Sequence, residues 1–232
     1  MKKAFDALRS KKITCKCPIC GEEYEAKMIT RHPSDEILSM VCKDCEEVTK
    51  KDTRDKVRIA KWREITPENY QNTDPSALPD HKAFERVITW EYGPKGLILI
   101  GKTGTGKSRT AYLLLQRLML DGYDIMPFKP LEFGHECIKR FTNDTWVQWI
   151  EYLYTVSVLF FDDFAKEPLT ERVESELFGV IEHRTANKLP IIATMNYTGD
   201  VIEDIANHRG PMIVRRLRDF CESITFRKGV TK

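Results

Sequence analysis

Residues 101–108 have the types and spacing that are needed to bind the phosphates of a nucleotide. They spell Gly-Lys-Thr-Gly-Thr-Gly-Lys-Ser and match G-x-x-x-x-G-K-[ST] without a mismatch. In such a loop the glycines let backbone N–H groups point at the phosphates, and the following helix adds its positive end. Lys107 is predicted to neutralise β- and γ-phosphate oxygens, and Ser108 to hold Mg²⁺. A glycine-rich turn without a ligand would not explain the apolar run before the loop and the amphipathic helix after it.

Two adjacent carboxylates predict the other half of this site. Asp162 and Asp163 follow the run 156–161, which is apolar apart from Ser157. This pattern is typical of a Walker B strand, so Asp162 is predicted to bind Mg²⁺ and Asp163 to activate the attacking water. Asn196 follows a later strand and could touch the γ-phosphate or that water, although asparagine is also common in turns after strands. The predicted nucleotide and magnesium ligands are Gly101, Thr103, Gly104, Thr105, Gly106, Lys107, Ser108, Arg109 and Asp162.

Four cysteines near the amino terminus have the spacing of a metal site. They form two C-x-x-C pairs, Cys17 with Cys20 and Cys42 with Cys45. Two such pairs supply the four thiolates of a closed, tetrahedral, structural Zn²⁺ site of the zinc-ribbon type. Free buried cysteines or a redox dithiol would not account for both pairs together. The remaining alternative ligands in this segment are Cys15 and His32.

The elements around these residues predict an α/β fold. Strand signals at 97–100, 124–128, 156–161, 190–194 and 221–226 alternate with helical patterns, which favours a parallel sheet covered by helices on both faces. The composition, with 41% hydrophobic and 31% charged residues and a net charge of +2, is ordinary for a soluble globular protein. The sequence has neither a secretory signal nor an apolar span of about 18 residues, so we expect a cytoplasmic protein with no membrane contact.

Three segments are predicted along the chain. Residues 1–49 form a zinc-ribbon, partner-binding domain, 50–65 a basic linker helix, and 66–232 the nucleotide-binding domain. Prolines between residues 66 and 80 mark the last boundary. The basic helix is either a DNA-backbone contact with Trp62 available for stacking, or a linker whose Ile59 and Trp62 pack on a neighbouring element.

A second candidate DNA-contact region lies between the strands at 124–128 and 156–161. There, basic side chains are interspersed with two tryptophans, which are either stacking surfaces for bases or part of the core. The residues concerned are Lys129, Lys139, Arg140, Trp146 and Trp149.

Together these motifs resemble AAA+ ATPases, and specifically the DnaC/IstB branch of helicase loaders and transposition ATPases. The resemblance covers residues 66–232 and rests on the phosphate loop, the strand that ends at Asp162-Asp163-Phe164, Asn196 and the Arg-rich segment 214–218. It implies a five-stranded parallel sheet of order 5-1-4-3-2 and a sensor role for Asn196. It also implies an arginine finger on the last helix, for which Arg216 is the best match and Arg215 and Arg218 are the alternatives.

Two departures from the wider superfamily are consistent with this branch. The second Walker B acid is Asp163, where most AAA+ proteins have glutamate. Only about ten residues follow the last predicted helix, which leaves no room for a carboxyl-terminal helical lid. The predicted fold is therefore a P-loop AAA+ α/β domain without that lid, preceded by a small zinc ribbon.

The resemblance implies an ATPase that uses ATP and Mg²⁺ to load a replicative helicase onto single-stranded DNA. The ribbon would bind the helicase, and the ATPase domain would self-associate and complete its site only when an oligomer, DNA or a partner is present. One alternative is a transposition helper ATPase that binds duplex DNA. Another is a nucleotide-dependent adaptor with little hydrolysis. A small-molecule kinase is disfavoured, because no substrate lid can be found in the sequence.

Overall fold

The computed structural model describes residues 9–30, 41–164, 170–196 and 209–227. The chain divides into two compact units, Met1–Arg58 and Ile59–Lys232, here called the first and second unit. Among the described residues, no helix has the length and apolar character needed to cross a membrane.

The first unit is built from a hairpin and the start of a long helix. Strands β1 (Arg9–Lys16) and β2 (Glu23–Thr30) pair antiparallel, and the turn between them contains the first C-x-x-C pair. Gly21 has a φ of 77°, a left-handed conformation that glycine adopts without strain, and its N–H donates to the carbonyl of Cys17. This turn therefore presents two thiols from one tight bend.

Helix α1 (Lys43–Ile65) begins earlier than the linker helix expected from residue 50. Its first turn contains acidic residues, which favour a helix amino terminus, and the N–H of Glu46 donates to the carbonyl of Cys42. Cys45 thus belongs to the helix, and the basic stretch from residue 50 forms its middle and its carboxyl-terminal end. Trp62 near the other end is buried and meets Tyr112 edge to face at 6.2 Å, so packing rather than exposure for base stacking describes this residue.

The second unit contains a five-stranded, entirely parallel sheet. Its strands are β3 (Gly96–Ile100), β4 (Ile125–Phe128), β5 (Val158–Phe161), β6 (Ile191–Met195) and β7 (Cys221–Thr225). Their spatial order is β4-β5-β6-β3-β7. Counted from β3 as the first strand of this unit, that is the order 5-1-4-3-2, so the expected topology is confirmed.

Helices cover both faces of this sheet. They are α2 (Glu68–Gln71), α3 (His81–Ile88), α4 (Lys107–Leu120), α5 (Pro130–Thr142), α6 (Trp146–Thr155), α7 (Glu171–Ala186) and α8 (Gly210–Phe220). Alternate strand residues enter two hydrophobic clusters: Leu159 and Phe161 belong to one, and Val158 and Phe160 to the other. Because both faces of the sheet are buried, strands β3 and β5 contain only glycine and apolar residues, a pattern that is visible in the sequence, whereas edge strand β7 exposes Glu222, Ser223 and Thr225.

The helices between β4 and β5 distinguish between the two interpretations of their tryptophans. Trp149 is buried against Phe128 and Phe133, with ring centroids 5.8 and 5.5 Å away. Trp146 is half-buried and stacks on Phe141 at 4.2 Å. Core packing therefore describes Trp149, and a stacking surface for DNA bases does not.

A buried arginine holds the middle of the second unit together. Arg184 is fully buried, and its guanidinium donates four hydrogen bonds of 2.8–3.2 Å to backbone carbonyls. Burial lowers its pKa to about 10, so the side chain stays protonated at neutral pH. The acceptors are the carbonyls of Leu153, Val156, Ser157 and Pro190, and these bonds link α7 to the chain that enters β5 and β6.

Candidate functional site

The first unit brings together the four cysteines of the C-x-x-C pairs. Their Sγ atoms all lie within 4.8 Å of one another, and those of Cys20 and Cys42 are 3.7 Å apart. Four sulfurs at about 2.3 Å from a tetrahedral zinc ion would be about 3.8 Å apart, so this donor set fits Zn²⁺. The cluster consists of Cys17, Cys20, Cys42 and Cys45; Cys15 is not part of it, and His32 lies outside the described residues.

The local backbone favours thiolate formation at Cys17. Burial opposes ionisation of this thiol, but N–H groups of Cys20, Cys42 and Ile19 outweigh it and lower the pKa to about 6. The N–H of Cys42 lies 3.5 Å from the Cys17 sulfur. The turn and the backbone at Cys42 thus stabilise the thiolate of Cys17, the form of cysteine that binds metal.

In the second unit, the phosphate loop joins β3 to α4 in a conformation that needs its glycines. Gly104 and Gly106 have φ values of 80° and 90°, in the left-handed region. At Gly101, a Cβ atom would lie 2.4 Å from the carbonyl oxygen of Phe226, so no side chain fits there. The loop ends at the amino terminus of α4, whose first N–H groups have no helical acceptor and can meet an anion.

The Lys107 ammonium is held inside the loop. Its Nζ donates to the Lys102 carbonyl at 3.1 Å and to Asn196 Oδ1 at 3.0 Å, and the Thr105 hydroxyl donates to the same carbonyl at 2.8 Å. Desolvation lowers the pKa of Lys107, and the negative charges of Asp163 and Asp162 partly offset this. A buried cation with so few acceptors favours a phosphate oxygen as a further partner.

Ser108 and Asp162 lie side by side at the carboxyl end of the sheet. The Ser108 hydroxyl donates to Asp162 Oδ1 at 2.7 Å, and Asp162 is buried directly after β5. Neighbouring ligands of one octahedral Mg²⁺ are about 3 Å apart, so these two oxygens fit that ion.

Asp163 faces a different partner from Asp162. It has a φ of 56°, in the left-handed region, and its Oδ1 accepts a hydrogen bond of 3.3 Å from Asn196 Nδ2. The Asn196 amide thus connects Lys107 to Asp163, since its oxygen accepts from one and its nitrogen donates to the other. The phosphate loop and the residues predicted for the other half of the site are therefore in direct contact.

These side chains, apart from the buried Asp162, border a cavity of about 420 Å³, a size suited to a small-molecule ligand. Three lining residues were not anticipated from the sequence: Tyr70, Ala77 and Pro79, from the segment interpreted as a boundary. Tyr70 stacks on Tyr112 at 4.6 Å, and Pro79 lies 3.1 Å from where a Cβ of Gly106 would be. The other lining residues are Thr103, Gly104, Gly106, Lys107, Ser108, Arg109, Asp163 and Asn196.

Comparison with known proteins agrees with this geometry. No family model matches the chain. The replicative helicase loader DnaI of Bacillus subtilis (strain 168) is 30% identical over 110 residues, which is 47% of this chain and 35% of DnaI. A crystal structure of the DnaC helicase loader superposes with a TM-score of 0.56, at 18% identity over 72% of this chain and 99% of that one. AMPPCP-bound DnaA from Aquifex aeolicus gives 0.50, at 19% identity over 62% and 44%.

The second unit has the fold of AAA+ P-loop domains, and it is called the AAA+ domain below. The resemblance to the helicase-loader branch is confirmed, and the four-cysteine cluster precedes the AAA+ domain as expected for a ribbon. The match spans about a third of the length of DnaI, so what that protein does as a whole is not transferred to this chain by similarity alone.

The arginines of α8 are placed differently from the other predicted residues of the AAA+ domain. Arg216 Nη2 lies 2.8 Å from Glu182 Oε1 on α7, and Arg216 is not among the residues that border the cavity. Arg215 and Arg218 are exposed. An arginine finger acts on the nucleotide of a neighbouring subunit, so its role remains a prediction for a single chain.

Proposed function

We propose that this chain is a Mg·ATP-dependent DNA replication protein that loads a replicative helicase onto single-stranded DNA. The observation behind the proposal is the 30% identity to a replicative helicase loader over 110 residues. The nucleotide geometry supports it, because the P-loop lysine, Ser108 and a polar pair at the γ-phosphate position border one cavity, and the buried Asp162 accepts the Ser108 hydroxyl.

The proposal gives each polar side chain of the nucleotide site a chemical role. Lys107 would bind phosphate oxygens, and Ser108 and Asp162 would hold Mg²⁺, whose chemistry when bound would be to neutralise charge on the phosphates. Asp163 accepts the proton of the attacking water, and Asn196 orients that water. The remaining loop residues supply backbone N–H groups to the phosphates.

Hydrolysis is expected to be slow in the isolated chain. Among the residues that border the cavity, the cationic side chains are Lys107 and Arg109, and Arg216 is paired with Glu182 elsewhere. We therefore propose that the AAA+ domain self-associates and that Arg216 of one copy completes the site of the next.

The first unit is proposed to bind Zn²⁺ and, through the folded ribbon, the helicase. The closed set of four thiolates leaves no open coordination position, which favours a structural rather than a catalytic ion. The protein would act in the cytoplasm, where replication takes place.

The deciding experiment has two steps. The full-length tagged chain is used to capture partners from a lysate of the cells in which it naturally occurs, and a helicase-loading assay follows. We expect a replicative helicase to bind. We also expect this helicase to unwind forked DNA coated with single-strand-binding protein only when the chain and ATP are present. Cys17→Ser with Cys20→Ser should lose the helicase, whereas Lys107→Met should retain capture and lose loading.

Other outcomes would redirect the proposal. Recovery of a transposase, with preference for duplex DNA, would support a transposition helper instead. Capture of the helicase without phosphate release in single-turnover assays, with DNA and helicase present, would support an adaptor that binds ATP without hydrolysing it.

A further inference from the structure

Thr194, the fourth residue of β6, makes contacts with three consecutive residues that follow β5. Its hydroxyl donates to Asp162 Oδ1 at 2.7 Å and accepts the backbone N–H of Asp163 at 2.8 Å. Its carbonyl accepts the N–H of Phe164 at 2.8 Å. A hydroxyl has one proton, and the Asp163 amide can only donate, so the directions of both side-chain bonds are fixed.

These bonds explain how two adjacent aspartates have different partners. The left-handed region is unfavourable for most non-glycine residues, and Asp163, at φ 56°, adopts it. The bonds from Thr194 lie on either side of this strained residue. With the turn held, Asp162 faces Ser108 and Asp163 faces Asn196.

We propose that Thr194 is a positioning residue, whose buried hydroxyl keeps Asp162 in the magnesium position and Asp163 in the water position. The inference rests on the proposed Mg·ATP function of this site. Thr194 is fully buried and does not border the cavity, so it acts through the two carboxylates rather than on the nucleotide. Without the hydroxyl, the Asp163 amide loses its acceptor and Asp162 loses a donor that fixes its orientation.

The test compares variants that separate the hydroxyl from the shape of the side chain. Thr194→Val keeps the branched shape without the hydroxyl, and Thr194→Ser keeps the hydroxyl without the methyl group. Thr185→Val is the matched control, because Thr185 is also buried and its hydroxyl donates to the carbonyl of Ile181 within α7.

The first readout is hydrogen exchange of the Asp163 backbone amide in the nucleotide-free, full-length protein. We expect exchange to be about tenfold faster in Thr194→Val, since the lost hydrogen bond is of that size. Thr194→Ser and Thr185→Val should stay within about twofold of the wild type. If Thr194→Val does not fold, Thr194→Cys replaces it, because a thiol is only a weak hydrogen-bonding group.

The second readout is the Mg²⁺ concentration that half-saturates the gain in ATP binding. It should rise about tenfold in Thr194→Val, while ATP binding without Mg²⁺ stays unchanged. Thr194→Val with the same amide exchange and Mg²⁺ dependence as Thr185→Val would overturn the inference. Failure of the proposed function would appear separately, as a wild-type chain that binds no Mg·ATP or loads no helicase, and amide exchange would still decide the role of Thr194.

Discussion

The cysteine cluster and the nucleotide site reach their geometry by opposite routes. In the first unit, the buried apolar side chains among the described residues are Cys17, Ala26 and Cys42, so two of the three belong to the cluster itself. In the AAA+ domain, a five-stranded sheet with two hydrophobic clusters fixes the ends of the strands before any ligand binds. The cysteine cluster therefore supplies most of the core of the first unit, whereas the nucleotide site is positioned by a core that does not depend on its ligand. Ligand removal should therefore affect the two units very differently.

Chelation of the proposed Zn²⁺ is the experiment with the largest expected effect on this contrast. Without Zn²⁺, we expect the first unit to lose its structure, because so small a core cannot offset the entropy of folding. The AAA+ domain should keep its protection and its ATP affinity. Hydrogen exchange of both units before and after chelation measures this, and first-unit amides that stay protected without metal would contradict it.

Arg216→Ala tests whether the Arg216 guanidinium of a neighbouring copy is the group that completes the nucleotide site. Stimulated turnover should fall by about 10³-fold, while the affinity for ATP and the stability of the single chain stay nearly constant. Steady-state hydrolysis with DNA and helicase provides the measurement. Glu182→Gln is the control, since it removes the ionic partner and leaves Arg216 in place. Unchanged stimulated turnover in Arg216→Ala would pass the role to Arg215 or Arg218.

Arg184→Met tests the internal support of the AAA+ domain. The substitution leaves three buried carbonyls and one partly buried carbonyl without the Arg184 donor, so we expect a loss of about 3 kcal/mol in the free energy of unfolding. Urea denaturation measures the loss. Arg86→Met, which removes an exposed pair with Glu222, should cost less than about 1 kcal/mol. Equal losses in both variants would mean that the buried network adds nothing.

Lys107→Met separates binding from folding within the nucleotide site. ATP affinity should fall about 100-fold, because a charged contact to the phosphates is lost. The melting temperature of the nucleotide-free protein should not fall, since desolvation already disfavours the ammonium and lowers its pKa. Calorimetric titration and a thermal melt give the two quantities. Lys102→Met is the control, because Lys102 is exposed and contributes its backbone carbonyl.

Local motifs were predictable from the sequence, and contacts between distant segments were not. The phosphate loop and Asp162-Asp163 are each encoded within a few adjacent residues, and the apolar strands were visible because both sheet faces are buried. Sheet order came from the family resemblance rather than from the pattern of residues. Thr194 was missed because its role depends on the pairing of β6 with β5, which no local pattern encodes.

The positions of two other residues could not be predicted from the sequence, for related physical reasons. Tyr70 lies in a proline-containing segment with no periodicity, so nothing indicated that it returns to the phosphate loop. Arg184 has a charge, which predicts exposure, and only the convergence of four carbonyls around it makes burial favourable. Both cases depend on tertiary contacts that form after the local elements.

The aromatic contacts beside the cavity connect it to the fluorescence of a tryptophan. Tyr70 borders the nucleotide cavity and stacks on Tyr112, and Tyr112 meets the indole of Trp62. A ligand that shifts Tyr70 alters the surroundings of Tyr112 and, through it, those of the indole. The emission of Trp62 is therefore expected to change when the cavity fills, so occupancy can be followed without attaching a dye.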